Sequence, residues 1–376
     1  MDTSTLTHYL HLFHCEAIHT VLFSRLLKEF GNIASVLEST EQPLLTLGLN
    51  REQVTAIQQL DKNPAVREPV DIEMKWQQTS GNAIICYESN DYPHLLREID
   101  CAPPLLFVVG RKALLSSAQI AIVGSRNASS YGTQNAFWMA HELSQAGLVI
   151  DSGLAKGVDT HAHLGALAAN KPTLAVLGSG ADIVYPAGNK QLAAQIAEEG
   201  AVISEFPLGM PPLPQNFPRR NRILSGLCLG ILVVEAAPKS GSLITARLAM
   251  EQNRDVFAIP GSISGQLSRG CHRLIKEGAK LVEQPSDILE ELGGLSGFIT
   301  ATSSPVEVEA SVASERAPGI NRQNKLILEV MGYQGCLLQT MLDHTGMEIQ
   351  QLNMQLLQLE LQGQIEVQGG RYTRVK

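Results

Sequence analysis

Between residues 116 and 292 the chain repeats one unit: a short apolar run, a turn rich in glycine and serine, then a stretch with helical spacing of apolar residues. The runs are Ile120 to Val123, Leu148 to Ile150, Thr173 to Leu177, Ala201 to Ile203, Ile231 to Val234 and Val256 to Ile259. Strands that are apolar along their whole length must be covered on both faces, and strands separated by helices pair in parallel. The pattern predicts an α/β fold, a doubly wound parallel sheet with helices on both sides. In such sheets ligands bind beyond the carboxyl ends of the strands. The unusual turns of this chain all fall there. Gly124-Ser125-Arg126, Ser152 to Gly157, Gly178-Ser179-Gly180, Ser204 to Pro207, Lys239 to Ser242 and Pro260-Gly261-Ser262 are expected to line one rim.

The rest of the chain divides by composition. Its 376 residues exceed the usual size of one core, so two or three domains are expected. Residues 5 to 61 carry apolar residues at helical spacing, broken at Gly31 and Gly48, which predicts a bundle of short helices. Pro64 and Pro69 mark a linker, and residues 83 to 110 read as an extended lead-in with short apolar runs around Pro103-Pro104. Six scattered cysteines without a Cys-x-x-Cys pair suggest neither a zinc cage nor a disulfide framework, and fit a reducing cytoplasm. No basic leader opens the sequence, and no segment approaches the roughly 18 apolar residues of a membrane span.

The chemistry expected of the rim is anion binding. Glycines let the backbone come close, and N–H groups at helix starts point at a negative ligand. Lys239-Ser240-Gly241-Ser242-Leu243-Ile244-Thr245 is expected to open a helix running to about Asn253, and Lys156 beside Gly157 offers a second phosphate site. Most telling is Phe217-Pro218-Arg219-Arg220-Asn221-Arg222, three arginines within four residues of a chain with net charge −8. Adjacent guanidiniums repel unless an anion sits among them, and their planar forks match phosphate oxygens.

Common phosphate and catalytic signatures are missing. Gly124 is not followed by the Gly-x-Gly-x-x-Gly of a dinucleotide site, although Asp151 stands where a ribose-binding acid would, and no P-loop pattern occurs. Asp159, His161 and His163 alternate in a stretch that reads as a helix, where alternate positions do not share a face, and Asp159 reads as a helix cap. His8, His11, His14 and His19 recur at helical intervals without a carboxylate or cysteine to complete a zinc site. Cys228 reads as a buried structural thiol. No catalytic residue, metal or cofactor is expected.

These motifs, in their order, resemble the DNA-processing protein A family (DprA/Smf). The resemblance rests on Gly124-Ser125-Arg126, Ser152 to Asp159, Ala175 to Gly180 with Tyr185-Pro186, Phe217 to Leu227, Val233 to Ala236, Ser240 to Ala246 and Val256 to Gly261. It departs at Cys228 and at Gly270 to Arg273. The resemblance implies an extended Rossmann-like domain over 83–292, preceded by a helical, SAM-like domain (1–61) and a linker (62–82). A second linker (293–318) and a winged-helix domain (319–376) follow. It also implies a cytoplasmic homodimer, not an enzyme, that binds single-stranded DNA, protects it and helps load the RecA recombinase in natural transformation, the process of competence. Such a strand needs a positive groove with aromatic surfaces for its bases. The residues expected to supply it are Ser125, Arg126, Lys156, Gly157, Phe217, Arg219, Arg220, Asn221, Arg222, Lys239, Ser240, Gly241, Ser242 and Thr245, with Tyr185 as a further stacking surface. Glu205 and Glu235 are expected to orient the arginines.

Two alternatives stay open. The fold is similar to nucleoside-monophosphate phosphoribohydrolases of the lysine-decarboxylase-like group, but Leu248 stands where their motif carries the catalytic glutamate. A small-nucleotide sensor would use the same rim. In the tail, no Lys or Arg occurs between Lys325 and Arg371, whereas Glu329, Asp343, Glu348, Glu360 and Glu366 are acidic. A winged helix of that charge is expected to be a poor duplex binder and a protein-interaction module. Its hairpin is expected at Gln364 to Val367 and Tyr372 to Val375.

Overall fold

The computed structural model describes residues 3–60 and 64–293, and in the tail 336–337, 341–342, 352, 356, 359, 365–368 and 371–374. These form two compact units, Met1–Ser303 and Ser304–Lys376. The first opens with helices α1 (Thr3–Phe13), α2 (Thr20–Phe30), α3 (Ile33–Leu37), α4 (Glu41–Thr46), α5 (Arg51–Gln58) and α6 (Pro64–Gln77). Gly31 ends α2 at φ 81°, its N–H closing on the Leu27 carbonyl, as a left-handed terminus requires. The segment read as a linker is instead mostly α6. Pro64 takes the first helical position, where its missing N–H costs nothing, and Pro69 is carried within the helix.

The sheet follows as β1 (Asn82–Cys86), α7 (His94–Arg97), β2 (Leu105–Gly110), β3 (Gln119–Val123), α8 (Ser130–Gln145), β4 (Val149–Ser152), α9 (Val158–Ala168), β5 (Thr173–Val176), α10 (Lys190–Glu199), β6 (Ala201–Ser204), α11 (Asn216–Leu227), β7 (Gly230–Val233), α12 (Gly241–Glu251), β8 (Asp255–Ala258), α13 (Arg269–Lys276), β9 (Lys280–Leu281) and α14 (Pro285–Gly293). Its nine strands run in the order β1-β2-β6-β5-β4-β3-β7-β8-β9. From β6 to β9 every pairing is parallel, as the apolar runs predict. The lead-in is not a free approach to the sheet. β1 and β2 pair antiparallel, and β2 joins β6 antiparallel, so they extend the sheet at one edge.

Alternation along the strands explains why both faces are covered. Ile120 and Ile122 of β3 pack with Met139, Leu143, Ala162 and Ile288 of α8, α9 and α14, whereas Ala121 and Val123 pack with Ile223, Leu227, Ala246 and Cys271 of α11, α12 and α13. The same alternation ties in the N-terminal helices. Ile84, Cys86, Leu105 and Phe107 belong to the core of the helical bundle, and Ile85, Leu106 and Val108 to that of the sheet.

In the second unit β10 (Cys336–Leu337), β11 (Ile365–Gln368) and β12 (Arg371–Arg374) form a sheet in the order β10-β12-β11, and the β11–β12 hairpin lies within one residue of its expected position. Met341, Leu352, Leu356, Leu359 and Ile365 make its core. Most other residues of the expected winged helix (319–376) lie outside the described residues. No helix among the described residues is long and apolar enough to cross a membrane.

Candidate nucleic-acid interface

The strand order reverses at β3, which has β4 on one side and β7 on the other. Chains leaving β3 and β7 therefore diverge to opposite faces and leave a crevice at their carboxyl ends. A cleft of about 660 Å³ opens there. The β3 loop contributes Ser125 and Arg126, the β7 loop and the start of α12 contribute Lys239, Ser240, Gly241, Ser242 and Thr245, and α11 contributes Phe217, Arg220 and Asn221. Tyr185 and the prolines Pro212 and Pro214 complete its wall. Lys156, Gly157, Arg219 and Arg222 do not line it, nor does the loop after β8.

Arg126 is exposed, and its guanidinium lies over the Phe217 ring at 5.4 Å from the centroid. Phe217 in turn meets Tyr185 at 5.6 Å, and Tyr185 is 46% exposed. Gly178 makes room for the Phe217 ring, because a Cβ there would stand 3.0 Å from it. The mouth of the cleft thus presents a cation and two aromatic rings in sequence. Lys239, also exposed, lines the same cleft.

The three arginines of α11 do not share one anion. Successive residues on a helix point about 100° apart, and each guanidinium finds a different protein group. Arg219 donates to the Thr20 hydroxyl at 3.2 Å and lies over the Phe206 ring. Arg222 forms an ion pair with Glu205, which is buried. Arg220 turns inward, 4% exposed, and donates to the Val176 carbonyl. Burial brings its guanidinium down to about 10, opposed by Asp159, so it remains a cation at neutral pH. Gly153 leaves room for it, since a Cβ there would stand 2.3 Å from Nη1 and the guanidinium would have to shift.

The helix starts also differ from expectation. Asp159 lies inside α9 and is not its cap. Its Oδ2 accepts from the Gly153 and Ala155 N–H groups at 3.1 and 3.3 Å, which consumes amides that were expected to face a phosphate. Burial raises the Asp159 carboxyl, countered chiefly by Arg220. Glu235, expected to orient an arginine, instead places both oxygens on Ser129, the N-cap of α8. Glu205 does engage an arginine. At α12 the cap is Ser240, whose hydroxyl accepts from Ser242 N–H at 3.3 Å, and this helix start opens on the cleft.

Other candidates are structural. Asp151, the position for a ribose-binding acid, is fully buried and accepts from the Cys228 thiol at 3.2 Å. Burial pushes both groups well up. His163 is buried against Thr173, and His161 meets the Gly157 carbonyl within its own helix. His14 pairs with Glu73 and His19 caps α2. Among the described residues no three His, Cys, Asp or Glu side chains gather as a metal site would require. Sequence reasoning missed Pro212 and Pro214, whose signal was the proline-dense stretch Pro211 to Pro214 between β6 and α11.

Residues 83–293 match the family model of DNA recombination-mediator protein A, and residues 312–371 match that of the DprA winged helix domain. The chain belongs to the DNA recombination-mediator protein A family. Protein Smf of Escherichia coli is 41% identical over 312 residues, 82% of each chain. The X-ray structure of DNA processing protein A from Streptococcus pneumoniae superposes with a TM-score of 0.67 at 38% identity, covering 76% of this chain and 97% of that one. DNA processing protein A of Helicobacter pylori, whose structure is described for its single-stranded DNA binding mode, matches with a TM-score of 0.52 at 29% identity, over 57% of this chain and 96% of that one. Family membership places the chain among DNA-processing recombination mediators with a Rossmann-like sheet and a C-terminal winged helix.

Proposed function

We propose that this protein holds single-stranded DNA in the β3/β7 cleft, protects it and helps load a RecA recombinase onto it during natural transformation. It acts as a cytoplasmic homodimer and without a catalytic step. The observation that carries the reading is the contact sequence Arg126, Phe217, Tyr185, with Arg126 and Tyr185 exposed and Phe217 half-buried between them, in a cleft also lined by Lys239 and the start of α12. Stacking surfaces bind any base, while the cations follow the backbone. The acidic surroundings confine a polyanion to this groove. The absence of a glutamate at Leu248, and the engagement of Asp151 and Asp159 inside the protein, support binding over catalysis.

A cleft of about 660 Å³ is also within the usual size range of a small-ligand pocket, which favours a nucleotide sensor as the second reading. Oligonucleotides of increasing length, single- and double-stranded, separate the two. A strand groove gains affinity over several nucleotides and prefers single strands. Equal affinity for a mononucleotide and a long oligonucleotide would sink the strand-binding reading. The recombinase step is tested by RecA filament assembly on strands precoated with single-strand-binding protein, with and without this chain. Unchanged assembly rates would remove that step.

A further inference from the structure

Glu235 follows β7 at the point where the sheet order reverses, and it is 7% exposed. A carboxylate so placed beside a phosphate-binding cleft repels its ligand, so its presence calls for a reason. Its oxygens accept from Ser129 N–H at 2.9 Å and from the Ser129 hydroxyl at 2.5 Å, and the same hydroxyl accepts from Gly132 N–H at 3.1 Å. The carboxylate lies flush with the helix, because a Cβ on Gly132 would stand 2.4 Å from Oε2. A negative group at this end is favoured by the helix dipole. It also fills the place a ligand phosphate would take at a helix N-terminus.

The consequence falls on residues 124–128, the only link between β3 and Ser129. The link starts at Val123, whose carbonyl accepts from Val234 N–H at 3.1 Å. In its middle the Ser125 carbonyl accepts from Val158 N–H at 3.2 Å, with Gly157 so close that a Cβ would meet Ser125 O at 2.3 Å. Its end is held by Glu235. Five residues with three anchors have little freedom, and Arg126 sits among them. Ordering a binding loop before the ligand arrives removes that cost from binding.

We infer that Glu235 is a positioning residue of the cleft: it closes the α8 N-terminus to phosphate and fixes the loop that holds Arg126 over Phe217. This rests on the strand-binding reading. The two accounts of Glu235 differ in sign. By charge alone, Glu235→Gln removes a repulsion and tightens binding. By positioning, the amide loses the charge and keeps a single acceptor oxygen, so its hold on Ser129 loosens and binding weakens about 3- to 10-fold, the scale of one ordinary net hydrogen bond.

The test uses the full chain and a labelled oligo-deoxythymidine, with wild type, Glu235→Gln, Arg126→Ala and the double variant, each checked for thermal unfolding. The expected result is weaker binding by Glu235→Gln and no further loss when it is added to Arg126→Ala. Binding equal to or tighter than wild type, or losses that multiply in the double variant, overturns the inference while leaving strand binding intact. Absence of strand binding by wild type overturns both. If Glu235→Gln does not fold, Ser129→Ala decides the matter with the carboxylate retained: weakened binding supports the inference and unchanged binding overturns it.

Discussion

Arg126 and Arg220 line the same cleft and carry the same charge, yet one stands on a loop in solvent over an aromatic ring and the other is drawn into the sheet against a backbone carbonyl. The difference lies in what each backbone allows. A short loop between two anchored ends projects its side chain outward, whereas the inward face of α11 directs Arg220 toward Val176 and into the space kept open by Gly153. Proximity in sequence therefore did not predict shared work. The three arginines of α11 tie this helix to the N-terminal bundle, to the sheet and to Glu205, while Arg126 and Lys239, far from one another in sequence, are exposed cations that line the cleft.

The comparison can be broken most forcefully at Arg220. Arg220→Ala leaves the Val176 carbonyl without its side-chain donor and the buried Asp159 carboxyl without its main neighbouring cation, and is expected to lower the unfolding free energy by about 3–5 kcal/mol in denaturant titrations. A loss below about 1 kcal/mol, the scale of an ordinary net hydrogen bond, would show that Arg220 is a ligand-facing group after all. Gly153→Ala sharpens the same point. The added methyl must displace the guanidinium, at an expected cost of about 1–3 kcal/mol. If Arg220 is free to swing into the cleft, that cost vanishes.

A pH-dependent effect reports on the buried neighbourhood of Arg220 through acid. Burial, assisted by Arg220, lowers His163 from 6.5 to about 3. The unfolded chain then binds a proton near pH 6.5 that the folded chain refuses until about pH 3, so stability is complete above that window and is lost as pH falls through it. The slope contributed by His163 approaches about 1.4 kcal/mol per pH unit. His163→Gln should flatten the difference curve between pH 6 and 4. Parallel curves for the two proteins would mean that His163 titrates normally in the fold.

Much of the fold was legible. The six parallel strands from β3 to β8 announced themselves as apolar runs because both faces are covered, and the hairpin of the tail followed from Gly369-Gly370. The lead-in strands were visible as apolar runs, but their antiparallel pairing depends on partners distant in sequence, β2 with β6 above all. Helix α6 was hidden because Pro64 and Pro69 read as breakers, and a proline at the first helical position costs no hydrogen bond. At the site, the cleft-lining loops after β3 and β7 were readable from their glycines and serines, whereas the turns after β5, β6 and β8, expected on the same rim, do not line the cleft. The direction of each charge was not readable. Asp159 takes two amides of the 152–157 turn and Glu235 takes the N-cap residue of α8, and no local pattern records which amide a carboxylate will reach.

The most direct measurement is the affinity of Arg126→Ala for a single-stranded oligonucleotide across a range of salt, beside its unfolding free energy. The account predicts affinity about 10-fold weaker, a slope of log affinity against log salt shallower by about one phosphate contact, and stability within about 0.5 kcal/mol of wild type. Affinity and slope equal to wild type would contradict it.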